Sequence, residues 1–349
     1  MNKFINNKIV KIIRKEFQDF VNYFNNERFK VKAKNKFHAI FIIIIRAILI
    51  YGLAFVVLFP LFQQVTLALR SPVDLNNPTV IWVPEHWTLF NLTIAETMLD
   101  YWTALFDSLR LSFTVMVLQV FVTSIAGYAF ARLKFRGSGL LFMIVVATIL
   151  IPPQALSVSR YFYFGKFDIL GIINAITGKP LNLLKSRYSL YLMSALGMGI
   201  NSGLFIFIFR QFFKNIPKEL DESAQVDGAS VFRTFWSVML PNARPAMLTV
   251  GLFSFVWQYN DIYYTNLLQI SDKFELLSSN LNNSMSFIYN RLVMTGADRL
   301  VGGDITKNPF YFALVSNVAA LLVMLPLLIL FIFLQRYFVE SIERTGIVG

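Results

Sequence analysis

The sequence predicts an all-α integral membrane protein with six transmembrane helices, and three observations predict it. The chain is 56% hydrophobic and only 15% charged, where soluble domains run at about 45–50% and 25%. Its apolar residues fall into long runs that match the roughly 20 residues needed to cross a bilayer. Its short connecting segments alternate between rich and poor in Lys and Arg, as the two faces of a membrane require.

The first apolar run begins at residues 39–45, is interrupted by Arg46, and continues uncharged over 47–69. We read span one as 47–69, with 39–45 the same helix emerging at the inner interface and Arg46 snorkelling toward headgroups. Some forty polar and basic residues precede it and no small-residue cleavage site follows, so it reads as a retained anchor rather than a signal peptide. Residues 1–38 form a basic arm. Ile9, Ile13, Phe17, Phe20 and Phe24 make an apolar helical stripe there, which either lies on an anionic inner leaflet or packs as a cytoplasmic helix on other protein.

Residues 39–349 form the transmembrane domain. Span two covers about 109–131, with Tyr101 and Trp102 just outside it as an interfacial belt. Span three covers about 139–159 and contains Pro152–Pro153, tolerated because neighbouring helices re-satisfy the freed carbonyls. Spans four, five and six cover about 188–212, 244–270 and 311–334.

Orientation follows from the loops. Arg132, Lys134 and Arg136 lie between spans two and three, and Arg210, Lys214, Lys218, Arg233 and Arg244 between four and five. With the basic arm, these segments belong in the cytoplasm. The loop 70–108 carries Asp74, Glu85, Glu96, Asp100 and Asp107 against Arg70 alone, and belongs outside. An even number of spans puts both termini in the cytoplasm. One loop runs against the pattern: 160–187 must lie outside yet holds Arg160, Lys166, Lys179, Lys185 and Arg187.

The net charge of +12 is concentrated in the arm, so it points to an anionic membrane surface rather than nucleic acid. With no cysteine, disulfides, iron–sulfur clusters and thiolate metal sites are excluded. The two histidines, His38 and His86, fall on opposite sides in this topology, so no bound metal or cofactor is expected. No Gly-x-x-x-x-Gly-Lys-[Ser/Thr] phosphate loop is present.

The segment 215–241 is built differently from a linker. Pro217 suits a first helical turn, and Glu219, Asp221 and Glu222 complement the helix dipole. Asp227-Gly228 is a turn signal. Val231, Phe232, Phe235, Trp236 and Met239 then give a second helix an apolar stripe, which Pro241 is expected to end. The expectation is a rigid cytoplasmic helix–turn–helix with an acidic tip.

Glu222-Ser223-Ala224, then Gly228, then Val238-Met239-Leu240-Pro241 resemble the Glu-Ala-Ala loop of binding-protein-dependent ABC importer permeases, with Ser at 223 and Val at 238 as conservative departures. Asp227 and Ala229 fit the Asp-Gly-Ala core of that pattern. The resemblance runs from about Ala47 to Phe338 and is nearest the MalG-type permeases of carbohydrate uptake. It includes Arg70-Ser71-Pro72, Ile81-Trp82-Val83-Pro84, Trp257, Asn260-Asp261 and Gln335-Arg336-Tyr337-Phe338. The C-terminal stretch departs from that branch's Gly- and Lys-rich ending. The resemblance implies a type I importer permease fold in a bacterial cell membrane. It implies a coupling helix docked on an ABC ATPase dimer that holds ATP and Mg, a second permease subunit, and an extracellular solute-binding protein.

Polar residues within spans are costly and are candidates for a solute path. They are Gln119, Gln154, Asn317 and the run Trp257, Gln258, Tyr259, Asn260, Asp261, which combines aromatic faces with hydrogen-bonding groups suited to sugars. The same residues also serve as interhelical glue or interfacial anchors. The long outer loop at about 271–310, with Asn282-Asn283-Ser284 and Gly302-Gly303-Asp304, either meets the binding protein or caps the bundle. The competing readings are a membrane-embedded transferase, whose best acidic pair is Glu222 and Asp227, a stand-alone channel or proton-coupled carrier, and a permease for a non-sugar solute.

Overall fold

The computed structural model describes residues 27–71, 74, 77, 79–80, 82–282 and 309–346, with 15, 18, 290 and 294 as single positions. The apolar stripe of the N-terminal arm and most of the outer loop 271–310, including Gly302-Gly303-Asp304, lie outside the described residues. So do Pro72 and Ile81.

The described chain is helical, with no strand beyond two isolated bridges, Arg70 with Trp87 and Phe167 with Leu181. In chain order the helices are α1 (Glu27–Ala68), α2 (Phe90–Leu99), α3 (Tyr101–Arg132), α4 (Ser138–Leu150), α5 (Ser157–Gly165), α6 (Ile172–Thr177), α7 (Tyr188–Ala195) and α8 (Ser202–Asn215). They continue as α9 (Lys218–Val226), α10 (Val231–Thr234), α11 (Leu240–Asn242), α12 (Arg244–Tyr259), α13 (Tyr263–Leu267), α14 (Leu277–Leu281) and α15 (Pro309–Gly346). The chain divides into two compact units, one ending at Gln63 and one beginning at Gln64.

Among the described residues, three unbroken helical stretches are long and apolar enough to cross a membrane: His38–Ala68, Tyr101–Arg132 and Tyr311–Arg336. They correspond to expected spans one, two and six. Segments 39–45 and 47–69 are one helix, as read, and it begins as far back as Glu27. Span three differs from a straight rod. α4 ends at Leu150, and the stretch Pro153–Gly165 leaves it at 103°. Pro152 has extended backbone (ψ 135°), because a proline forces the residue before it out of the helical region and cannot donate to the preceding turn. α4 buries none of its residues, so its Leu, Ile and Met side chains face lipid or another subunit.

Spans four and five are also interrupted. The expected helix over 188–212 breaks between α7 and α8, at Leu196–Asn201, where Gly197 and Asn201 both take left-handed backbone (φ 70° and 55°). The expected helix over 244–270 stops at Tyr259, and α13 follows as a separate short turn.

α3 is the axis of the second unit and packs chiefly against α8, α12 and α7. Its buried positions, among them Ala104, Ser108, Leu111, Ser112, Val115, Gln119, Thr123 and Gly127, recur at the three- and four-residue spacing of one helix face. Most are small, which lets neighbouring backbones come close where lipid offers no hydrophobic drive between helices. Three clusters stack along it. One joins α2, the start of α3 and α15. One gathers Leu111, Val115, Phe164, Met193, Leu268 and Ile270. The third packs Tyr128, Phe205, Phe209, Phe213, Phe235 and Met239 at the Arg132 end.

Two of the five basic residues of the discordant loop have acidic partners. Lys185 pairs with Asp272 at 2.9 Å, and Arg187 with Asp107 at 3.0 Å. Both aspartates lie on segments assigned to the same face as that loop.

In the 70–108 loop, Asp74 is buried and acts as a clasp. Its Oδ2 accepts from the Glu85 and His86 N–H groups at 3.0 and 2.8 Å, and its Oδ1 lies 2.7 Å from His86 Nδ1. The Asp74, Glu85 and His86 side chains approach within metal-ligand range of one another, but both Asp74 oxygens are already engaged. The His86 backbone and ring hold the Asp74 carboxyl below its usual range, and the Asp74 hydrogen bond holds the His86 ring above its own. The His86 contribution is therefore full below the ordinary histidine value of about 6.5 and is lost as pH rises through the raised one. The Asp74 contribution is present above the ordinary aspartate value and is lost as pH falls through the lowered one. The clasp is tightest between those limits. We expect His86, followed by NMR in a His38→Asn background that leaves a single histidine, to titrate above 6.5 and to return toward 6.5 in Asp74→Asn.

Candidate functional site

The segment 215–241 forms two helical limbs joined by a capped turn. Pro217 is the N-cap of α9, with Glu219 and Asp221 in its first turn. The limb ends in a Schellman motif, in which the Ala229 N–H donates to the Ala224 carbonyl (2.9 Å) and the Gly228 N–H to the Gln225 carbonyl (3.0 Å). Gly228 has φ +80°, a conformation that strains any residue with a Cβ. The Ala…Gly spacing of the motif is thus the spacing of a helix C-cap. Ser230 then starts α10, its Oγ accepting from the Arg233 N–H at 3.3 Å. This cap is a functional feature not among those read from the pattern above, although Ser two residues after Gly228 and before an apolar stripe is an ordinary start signal.

Pro241 does not end the second limb. α10 runs into a π-helical turn, Phe235–Met239, in which the Leu240 N–H donates to the Phe235 carbonyl, and the helix continues through α11 to Asn242. A proline at 241 cannot supply the usual donor four residues back. The wider turn changes which carbonyls need partners, and Asn242 Nδ2 satisfies the Val238 carbonyl at 2.7 Å.

At the tip, Glu222, Ser223, Asp227 and Gly228 are exposed, with Val226 the most open apolar side chain at 87%. Ala224 is buried, Ala229 and Leu240 half-buried, and Pro241 exposed. Phe232 and Trp236 stack on the outer face of the second limb, 6.4 Å apart and nearly parallel. The inner face is fastened to α3. Tyr128 meets Phe213 and Phe235 at 5.7 and 5.2 Å. Arg132 donates to the Ile216 carbonyl, and its Nε lies 3.2 Å from Asp221 Oδ2 without satisfying hydrogen-bond geometry. Burial pushes the Asp221 carboxyl above its usual range; Arg132 opposes this and Glu222 adds to it. The Arg132–Asp221 pair escaped the sequence reading because each residue had a sufficient local explanation, one as a loop charge and the other as a dipole partner.

The eight solute-path candidates lie in different settings. Gln119 is fully buried. It donates to the Ile200 carbonyl (2.9 Å) and Ser202 Oγ (3.2 Å), and it accepts from Ser254 Oγ. It therefore stitches α3, the α7–α8 break and α12 together. Gly199 makes room for it, since a Cβ there would lie 2.4 Å from Gln119 Nε2. Trp257 is half-buried, stacked between Phe205 and Phe253. Tyr259 is buried and donates to the Val323 carbonyl at 3.0 Å. The buried Asp261 accepts from the Tyr264 and Thr265 N–H groups and the Thr265 hydroxyl at the start of α13. Gln258 is buried with Nε2 unpartnered. Asn260 and Asn317 are exposed, and Gln154 is exposed at the bend after α4. Beside that bend, Tyr263 donates to the Pro153 carbonyl (3.0 Å) and Arg160 to the Tyr264 hydroxyl (2.8 Å).

Replacing Gln119 by Leu would strand the Ile200 carbonyl in the α7–α8 break. We expect a loss of about 1–3 kcal/mol, above the roughly 0.6 kcal/mol of an average interhelical bond in a membrane. A thermal melt of the detergent-solubilised protein should register it as a lowered Tm.

Comparison with known proteins covers this region. The family profile described as "binding-protein-dependent transport system inner membrane component" matches residues 119–344, well over half of the chain. The arabinooligosaccharides transport system permease protein AraQ of Halalkalibacterium halodurans is 25% identical over 300 residues, covering 85% of this chain and 93% of that protein. The maltodextrin transport system permease protein MdxG of Bacillus subtilis is 26% identical over 301 residues, covering 85% and 93%. Among solved structures, a chain of a bacterial ABC transporter involved in the import of the acidic polysaccharide alginate matches with a TM-score of 0.61. Its identity is 19%, and the match covers 84% of this chain and 95% of that one. At that identity the likeness is one of fold.

Proposed function

Since the chain belongs to the family of binding-protein-dependent transport system inner membrane components, a multi-pass transport subunit and not an enzyme, we propose that it is one permease of an ATP-driven ABC importer in a bacterial cell membrane. In this reading it crosses the membrane six times with both termini in the cytoplasm. With a second, homologous permease it encloses a path for a sugar or oligosaccharide handed over by an extracellular binding protein. An ABC ATPase dimer, holding ATP and Mg, docks on the limb that ends at Gly228.

The observation that carries this reading is the construction of 215–241. A helix capped by a Schellman turn presents Glu222, Val226 and Asp227 outward while its other face is fixed to α3. A stiff limb exposed at its tip and anchored at its base passes a push from a docked partner into the spans. The carbohydrate assignment rests on the sugar systems of the relatives. Solute contact would fall to Gln154, Asn260 and Asn317, whose side chains are exposed, and to the part of Trp257 that its two stacked Phe rings leave open.

Pull-down of tagged protein from native membranes tests the reading. Wild type should bring down an ATPase and a second permease. Gly228→Arg puts a bulky charge at the docking turn and strains its left-handed backbone (φ +80°), so it should lose the ATPase by at least tenfold while remaining in the membrane. Wild type without an ATPase, in a detergent that keeps known importers intact, would sink the proposal.

A further inference from the structure

We infer that Arg132 and Asp221 lock the helix α9 and the end of α3 into one rigid body, so that any displacement of α9 by its docked partner becomes a displacement of α3. This rests on the docking role proposed for α9, and goes beyond it by naming the positioning residues that carry the motion inward.

Arg132 is the last residue of α3 and Asp221 lies in the first turn of α9. Their side chains are only 7% and 10% exposed, with Nε and Oδ2 3.2 Å apart. The same guanidinium donates through Nη2 to the carbonyl of Ile216, just ahead of the α9 N-cap. One side chain thus grips α9 both before its first residue and within its first turn. Charges this enclosed resist separation, because sliding α9 past α3 would strand both away from water.

The second limb is held differently. Tyr128 lies one helical turn before Arg132 on the same face and touches Phe213 and Phe235 through ring contacts. Such contacts are non-directional and tolerate small slips. Among the described contacts of the loop with α3, those of the Arg132 guanidinium, to Asp221 and to the Ile216 carbonyl, fix register. From Arg132 the helix runs without a break through Gln119, which ties α3 to α8 and α12. A shift at the loop therefore reaches the packing around the α7–α8 break.

The chain has no cysteine, so two introduced thiols on it can be labelled cleanly. We would place spin labels at Lys218→Cys, at the exposed start of α9 and away from its docking tip, and Ile125→Cys, on the exposed side of α3, in the assembled transporter with thiols of the other subunits replaced. The distance between them is then measured with and without ATP, Mg and vanadate. The expected result is one narrow distance that the nucleotide leaves unchanged. In Asp221→Asn the distance should broaden or shift with nucleotide while the ATPase copurifies to within about twofold of wild type. The charge swap Arg132→Asp/Asp221→Arg should narrow it again. An Asp221→Asn distance that stays as narrow as wild type, or a swap that docks the ATPase yet stays broad, overturns the inference. So does loss of all variants from the membrane, which would assign the pair to folding alone. Failure of wild type to retain any ATPase overturns the docking role instead, and so separates the two.

Discussion

Helix α3 meets two demands along one face. It must let neighbouring backbones come close, and it must satisfy polar groups that no water reaches. Small residues such as Ala104, Ser108, Ser112 and Gly127 meet the first demand, and Gln119 and Arg132 meet the second. The remaining architecture of the second unit follows from that face. α8 and α12 lie against it, the break between α7 and α8 is stabilised by it, and the loop 215–241 is anchored to its last turn.

The interrupted helices have a common cause. A continuous helix needs no outside partner for its backbone, and a broken one does. At Leu196–Asn201 the Ile200 carbonyl freed by the break receives the Gln119 amide. At Pro152–Pro153 the Pro153 carbonyl receives the Tyr263 hydroxyl. At Asn260–Ile262 the Asp261 carboxylate takes the N–H groups that open α13. Each break is thus paired with a polar side chain from within the bundle or from the turn itself. For this reason Gln119 and Asp261, which look like solute ligands in the sequence, are occupied in the fold.

The loop 215–241 combines a rigid support with an open tip. Its C-cap depends on Gly228, its second start on Ser230, and its base on Arg132 and Tyr128. None of these holds the outward residues Glu222, Val226 and Asp227, which leaves them free to meet another surface. The π-helical turn at Phe235–Met239 belongs to the same design, since it lets a limb containing Pro241 continue into α12 rather than stop.

The sequence by itself determined the membrane class, the existence and order of the apolar segments, and the helix–turn–helix at 215–241. Those features rest on local chemistry: apolar run length, proline and glycine backbone preferences, and a cap whose donors and acceptors lie within five residues of each other. The breaks at 196–201 and 260–262 also carried local signals, in Gly197, Gly199 and Asn201 and in Asp261, but hydropathy averaged over a span hides them. Only the tertiary structure decided that Gln119, Tyr259 and Asp261 are committed to packing, and that Arg132 holds Asp221. Those are pairings between residues up to 135 positions apart. The free energy of a buried polar group depends on which partner faces it, and that is a property of how helices cross, which no local pattern encodes.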